Sequence, residues 1–228
     1  MTTLTTNYLT PTGREEAWRF TPLKRLGGMH DGTAITSDRH SLALGSSAAT
    51  GVSFERVSAS AAAPLSETDD VIVARIRDFA TDVAVLTIAA NTEVAEPILL
   101  KRSAGALDTA EFSRVQIRVE NHARATVIIE NTGDTHLAED LEISVAPGGN
   151  LTLVSLQEWG SKSIHAGRQH AVVDRDATFK SIVVTIGGSL VRLLPTVEFA
   201  APGASCELLG VYFATSGQFF EHRMFVDH

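Results

Sequence analysis

Four segments of this chain repeat one another, and that repetition limits its fold more than any other feature. VENHARATVIIE, VAPGGNLTLVSL, VDRDATFKSIVV and FAAPGASCELLG each combine an apolar strand residue, a short polar or Gly/Pro corner and a second β-rich run. Anchored at Val119, Val145, Val172 and Phe199, the repeats are spaced by 26, 27 and 27 residues, and a further step of 27 reaches Val226 in the closing FVDH. A period of this length marks a solenoid, in which each coil buries its apolar face against its neighbours. Pro147-Gly148-Gly149, Gly187-Gly188 and Pro202-Gly203 fall at the corners, where turn dihedrals are needed. Val, Ile, Leu, Thr and Phe fill the runs between them, as pleated surfaces prefer. The predicted inward positions are Val127, Ile129, Leu151, Leu153, Phe179 and Leu208.

The predicted fold is therefore mainly β: a parallel β-helix with a small N-terminal helical region. An antiparallel sandwich or jelly roll is the competing architecture, because short, regularly spaced strands also suit that class. Residues 1–82 are expected to form the helical and irregular region, and residues 83–228 the β-helix. In the first part, Thr12 with Glu15 has the spacing of a capping box. Thr21-Pro22 reads as the start of a second short helix ended by Gly27-Gly28. Trp18, Phe20, Leu23 and Leu26 are the expected packing contacts. Short strands are expected at Ser41–Leu44 and Val52–Val57, followed by a surface linker, SASAAAPLSETDD. The run VIVARIRDFA is predicted helical, capped by Asp70, with Ile72, Ile76 and Phe79 on one face. VAVLTIAANTEVAEPILLKR is the first coil, in which Ile88 precedes Val119 by 31 residues because the loop SAGALDTAE intervenes.

A net charge of −8 argues against binding nucleic acid or anionic membrane through a global field. The single cysteine, Cys206, excludes an intrachain disulfide framework. Neither a signal-peptide pattern nor a long apolar run is present, and the expected setting is the cytoplasm.

Two places resemble the SufD-type proteins of the iron–sulfur cluster assembly family SufB/SufD. GREEAWRFTPLKRL is similar to the family's entry helix, with its acidic pair, Trp and TPL. GQFFEHRMFVDH, following GASCELLGVYFATSGQ, is similar to its last β-helix coils, and VAEPILL and the coils between fit in order and length. The resemblance implies that the parallel β-helix is right-handed, and that the chain is a non-catalytic scaffold subunit that pairs with SufB through the β-helix end and works with the ATPase SufC. On it an iron–sulfur cluster is transiently assembled and passed on. It further implies that His228 is a metal ligand shared with a partner's thiolate. The resemblance implies a further C-terminal helical domain, which docks SufC; this sequence is expected to correspond to the family without it. A chain stopping in mid-coil is expected to self-associate as a homodimer through the β-helix end.

The other candidates point to packing. His222 and His228 would share one strand face roughly 20 Å apart at about 3.3 Å per residue, too far to chelate one metal unless the strand bends. His165 and His170 lack a chelating step, and Gly167 between them suggests a loop. His122 and His136 lie near corners. Cys206 stands at a half-buried packing position. Asp174 and Asp176 read as solvated turn residues. There is no phosphate loop, nucleophile elbow or HExxH motif. The competing function is a carbohydrate-active β-helix enzyme, a polysaccharide lyase or hydrolase. Such an enzyme needs a groove with paired carboxylates and aromatic platforms, and aromatics are only 6% here.

Overall fold

A computed structural model describes residues 9–45 and 49–227 of the chain. Single 3₁₀ turns at Glu16–Trp18 and Leu23–Arg25 replace the two expected helices. The Thr12–Glu15 pairing forms in part. The Glu15 carboxylate accepts the Thr12 N–H at 3.0 Å and the Thr12 hydroxyl at 2.9 Å, but that hydroxyl caps no helix. Pro22, not Thr21, precedes the second turn, and the Thr21 hydroxyl donates instead to Glu221 at 2.7 Å. Trp18 and Leu26 are buried and Leu23 partly so, whereas Phe20 is exposed.

Strands β1 (Thr36–Ser37), β2 (Leu42–Leu44) and β3 (Val52–Ser58) follow, and then helix α1 (Val71–Phe79). Asp70 caps α1, its carboxylate accepting the N–H groups of Ile72 and Val73, as its position predicts. Ile72 and Ile76 are buried; Phe79 is half exposed and rests on Phe112, with ring centroids 5.3 Å apart.

From Asp82 the chain winds as a parallel β-solenoid of two strands per coil. One sheet, sheet A, receives β4 (Asp82–Ile88), β6 (Ala110–Val119), β8 (His136–Val145), β10 (Ile164–Val173), β12 (Leu190–Phe199) and the short pair β14 (Phe219–His222) and β15 (Phe225–Asp227). The facing sheet, sheet B, receives β5 (Ile98–Arg102), β7 (Arg124–Gly133), β9 (Asn150–Trp159), β11 (Thr178–Thr185) and β13 (Ser205–Tyr212). β3 and β2 close the first coil's edges antiparallel to β4 and β5.

The register corrects the anchors by one residue in one coil. Ile88, Val119, Val145, Val173 and Phe199 form one column, and Val172 sits between Ser144 and Glu198. The steps from Val119 are thus 26, 28 and 26. The corner Asp134-Thr135 is two residues long where the other corners between Val119 and Leu190 have four, and β11 has 8 residues where β6 to β10 have 10 each. Val226 pairs with Val197, not with Phe199. A slip of one matters because successive side chains face opposite sides of a sheet.

The regular feature is the corner after each sheet A strand. Asn91, His122, Gly148, Asp176 and Gly203 all have positive φ and stack as a column. Each N–H of the first four donates to the carbonyl just before the next member, at 2.9 to 3.3 Å. Asn, Asp, His and Gly are the residue types that accept this conformation.

The predicted lumen residues Val127, Ile129, Leu151, Leu153 and Phe179 are buried in the main core, with Leu208 partly buried against it near the open end. The central strands of sheet A, β6, β8, β10 and β12, are buried on both faces, because the N-terminal segments cover their outside. There Trp18, Leu26, Met29, Val71, Ile72 and Ile76 pack on Ala110, Ala138, Ile164, Ala166 and Leu190 in a second core.

The expected surface linker is instead a strap across that outer face. Arg114 donates to Ala62 O at 3.0 Å, Gln116 to Ala63 O at 2.9 Å, Arg77 to Ser66 O at 2.8 Å and Arg168 to Glu67 O at 3.1 Å, while Leu65 N–H donates to Glu142 at 2.8 Å. Small and polar residues in sequence suggested a linker. In space they let the backbone lie close enough to the sheet for side chains to hold it.

Candidate functional site

Two polar seams and an open rung are the places where chemistry or recognition can reside. On the outside of sheet A, under the strap, Asp140 is fully buried. It accepts Arg168 Nε and Nη2 at 3.1 and 2.9 Å and Arg77 Nε at 3.0 Å. Glu142 accepts Arg77 Nη2 at 3.0 Å and Gln116 at 3.1 Å, with Arg114 3.7 Å away. Burying these charges is tolerable only because each has an opposite partner. Removing one partner typically costs about 3–5 kcal/mol. This seam joins α1, the strap and three strands.

The second seam lies inside the solenoid. Arg102, fully buried, donates to Ser41 at 3.0 Å, to Glu111 at 3.1 Å and to Glu139. Burial pushes the Glu139 carboxyl above its ordinary value, against the pull of Arg102. In the next coil Gln157 Oε1 accepts Trp159 Nε1–H at 2.6 Å and faces His165 Nδ1 at 2.8 Å, while Gln157 Nε2 donates to Ser155 at 2.7 Å. An indole N–H only donates, so the Gln157 atom facing it is the oxygen. His165 Nδ1 therefore carries the proton and Nε2 is bare. Burial, reinforced by Arg102, pushes His165 down to about 3, so it is neutral at ordinary pH. Further along, Gln169 donates to Ser181 at 2.7 Å, and Thr185 bonds His222 Nε2 at 3.0 Å.

Gly167 marks no loop. It sits in β10, where a Cβ would come within 2.8 Å of Glu139 O. His165 and His170 thus lie on opposite faces of one strand. The former faces the lumen and the latter the outer face, where Nδ1 bonds Thr196 at 2.7 Å. Asp176 is a turn residue, as read from the sequence.

The last rung is open. Among the described residues β13 pairs only with β11, and β14 and β15 pair only with β12. The break between β14 and β15 has a cause in β12. Leu193 O accepts Arg223 N–H at 3.0 Å, and the next donor toward that edge is residue 195, a proline without an N–H. His222 belongs to β14, paired in register with Leu193, and its ring meets Tyr212 edge-on with centroids 5.5 Å apart. Burial lowers its pKa. Cys206 is half-buried beside Phe179 and packs on the main core, and burial pushes its thiol up. Leu209, Val211, Tyr212, Phe213, Met224, Phe225 and Val226 are exposed along this rung. His228, the predicted shared ligand, lies outside the described residues. Among the described residues no group of three or more His, Cys, Asp or Glu side chains is placed to hold a metal ion. No described helix is long and apolar enough to cross a membrane.

These features define a two-sheet parallel β-solenoid with its polar chemistry buried and an apolar terminal rung. Residues 101–228 match the family model described as "SUF system FeS cluster assembly, SufBD core domain". An iron–sulfur cluster assembly SufBD family protein of Mycobacterium leprae (strain TN) is 34% identical over 224 residues, covering 96% of this chain and 56% of the relative. Its counterpart in Mycobacterium tuberculosis (strain H37Rv) is 30% identical over 218 residues, with 96% and 55% covered. The chain belongs to the SufBD family of iron–sulfur cluster assembly proteins, as its sequence resemblance implied, and spans just over half the length of these curated relatives. A carbohydrate-active β-helix finds no support in these matches.

Proposed function

We propose that this chain is the β-helical core of a SufD-type scaffold subunit. In that role it pairs with SufB, works with SufC and lets an iron–sulfur cluster be built as cargo and passed on. It does no catalysis of its own, ATP hydrolysis being SufC's, and it acts in the cytoplasm. The observation that carries the reading is the family match over residues 101–228, which runs from the first coil to the open rung. The exposed Leu209, Val211, Tyr212 and Val226 support partner contact there, because unpaired strand edges with apolar side chains favour adding another β layer. A second copy of the chain can occupy the same edge, giving a homodimer in the absence of SufB. His228 is then an intermolecular ligand, one imidazole facing a thiolate of the partner.

The test is co-expression of the full-length protein with SufB and SufC, followed by purification of the complex and measurement of bound iron and sulfide. The reading expects the three to co-purify. His228→Ala is expected to lower iron and sulfide several-fold while the complex still assembles. Unchanged iron and sulfide in that variant would overturn the role of His228. A full-length protein that never retains SufB would overturn the pairing.

A further inference from the structure

The two sheets differ on their outer faces. The outside of sheet A is covered by the strap, α1 and the N-terminal turns, whereas no described helix or strand packs on the outside of sheet B. Side chains alternate along β7, β9, β11 and β13, so the residues between the buried Val127, Leu153 and Val183 and their neighbours point outward. The register stacks these outward residues into two adjacent apolar columns. Ile128, Val154, Ile182 and Leu209 are paired in turn in one, and Leu156, Val184 and Val211 in the next. The inner members are half-buried, and Leu209 and Val211 are 44% and 42% exposed. None of the seven belongs to a buried core. A parallel sheet is ordinarily covered on both faces, and a contiguous apolar patch on a surface marks a place of contact.

Charge and size select the occupant. Polar residues border the columns, Thr126, Thr152 and the Lys180–Glu207 pair on one side and the Lys101–Glu130 pair and Glu158 on the other, with the two pairs at 2.7 and 3.4 Å. This is the apolar centre and polar rim of a protein interface. Arg124, Lys101 and Lys180 on the face balance Glu130, Glu158 and Glu207, three charges against three, although the chain as a whole carries −8. A second copy therefore meets no like-charge field here, and a strongly charged partner finds no field to attract it. Five strands about 4.8 Å apart and mostly eight to ten residues long give a face of about 24 by 30 Å. That is roughly 700 Å², close to the ~800 Å² that each partner buries in an interface of standard size.

We propose that sheet B of one copy packs face to face on sheet B of a second copy about a two-fold axis. The apolar columns interdigitate as in a β-sandwich, with the two layers about 10 Å apart. The contact is independent of the scaffold reading, because it uses a sheet face and the end pairing uses strand edges. Only Leu209 and Val211 border both surfaces. A dimer forms through either contact and a tetramer through the two together.

Sedimentation of the intact chain over a wide range of concentration tests it, with circular dichroism to confirm that each variant is folded. Val154→Lys places an unpaired charge at the centre of the patch and should weaken the face contact about a hundredfold. Ile182→Thr keeps the β-branched shape, removes apolar contact and should weaken it about tenfold, which decides the matter even if Val154→Lys fails to fold. Val226→Lys, on the terminal rung, should keep the association step that Val154→Lys removes. If end pairing does not occur, the parent stops at a dimer that Val154→Lys makes monomeric, and the face contact stands. A parent that is monomeric throughout, or variants at Val154 and Ile182 that sediment as the parent does, overturn the proposal. Val154→Lys is also expected to retain co-expressed SufB as the parent does. Loss of SufB in that variant would give the face to SufB and overturn the proposal.

Discussion

His165 and His170 show what a solenoid does to single residues. Five apart in sequence, they are neighbours in one strand with opposite fates, one inside the lumen and one beneath the strap. Burial pushes both down, His165 to about 3 and His170 to about 4, so the folded state holds them neutral. Their folded pKa values are depressed below the unfolded value near 6.5, and the unfolded chain therefore binds more protons between the two. Stability is fully present above pH 6.5 and is lost as pH falls toward about 4. Each histidine contributes a slope of roughly 1.4 kcal/mol per pH unit in that window. Denaturant midpoints measured from pH 7 to pH 4.5 should fall steeply, and His170→Gln should flatten the slope by about one proton. An unchanged slope in that variant would show that His170 is protonated in the fold. Little of this residue-scale chemistry is legible in the sequence. Arg102, Glu139 and Asp140 look like ordinary strand charges until partners 28 or 37 residues away are placed beside them.

At the scale of elements, the corners carry the repeat. The column Asn91, His122, Gly148, Asp176 and Gly203 needs a left-handed backbone at every rung. Its glycines are tightly enclosed: a Cβ at Gly148 would meet His122 Nδ1 at 2.3 Å, and one at Gly203 would meet Asp176 Oδ1 at 2.0 Å. Gly148→Ala is expected to destabilise by about 1–3 kcal/mol through the strained φ and the clash, seen as a lower thermal midpoint. Asp176→Gly should leave the midpoint unchanged or slightly higher. A Gly148→Ala protein as stable as the parent would mean that the corner can rearrange freely. Asp70 and α1 were legible because a cap and its helix are local. The linker was misread because composition records that a segment lacks its own core, not that side chains of a distant sheet will hold its carbonyls.

For the molecule as a whole, each coil is secured by the coils on either side, so stability is graded along the axis. Strands β8 and β10 are covered on both faces and paired on both edges, whereas among the described residues β13, β14 and β15 have one partnered edge. Amide exchange should be slowest in β8 and β10 and faster by orders of magnitude in β13–β15. Slow exchange throughout β13–β15 in a monomer would contradict that gradient, and protection there on adding a second copy or SufB would support the proposed contact.

By itself the sequence determined the kind of architecture: coils of two strands, corners of Gly, Pro, Asn and Asp, and a helix started by Asp70. These follow from backbone preferences that act over a few residues. The family was legible for the same reason, in short ordered motifs. Only the tertiary structure decided the register that replaces Val172 by Val173, the burial of two charged seams and the strap across sheet A. Those depend on hydrogen bonds and ion pairs between residues a full coil or more apart. In a solenoid every such partner comes from another turn of the chain, and its identity depends on how many residues each corner uses.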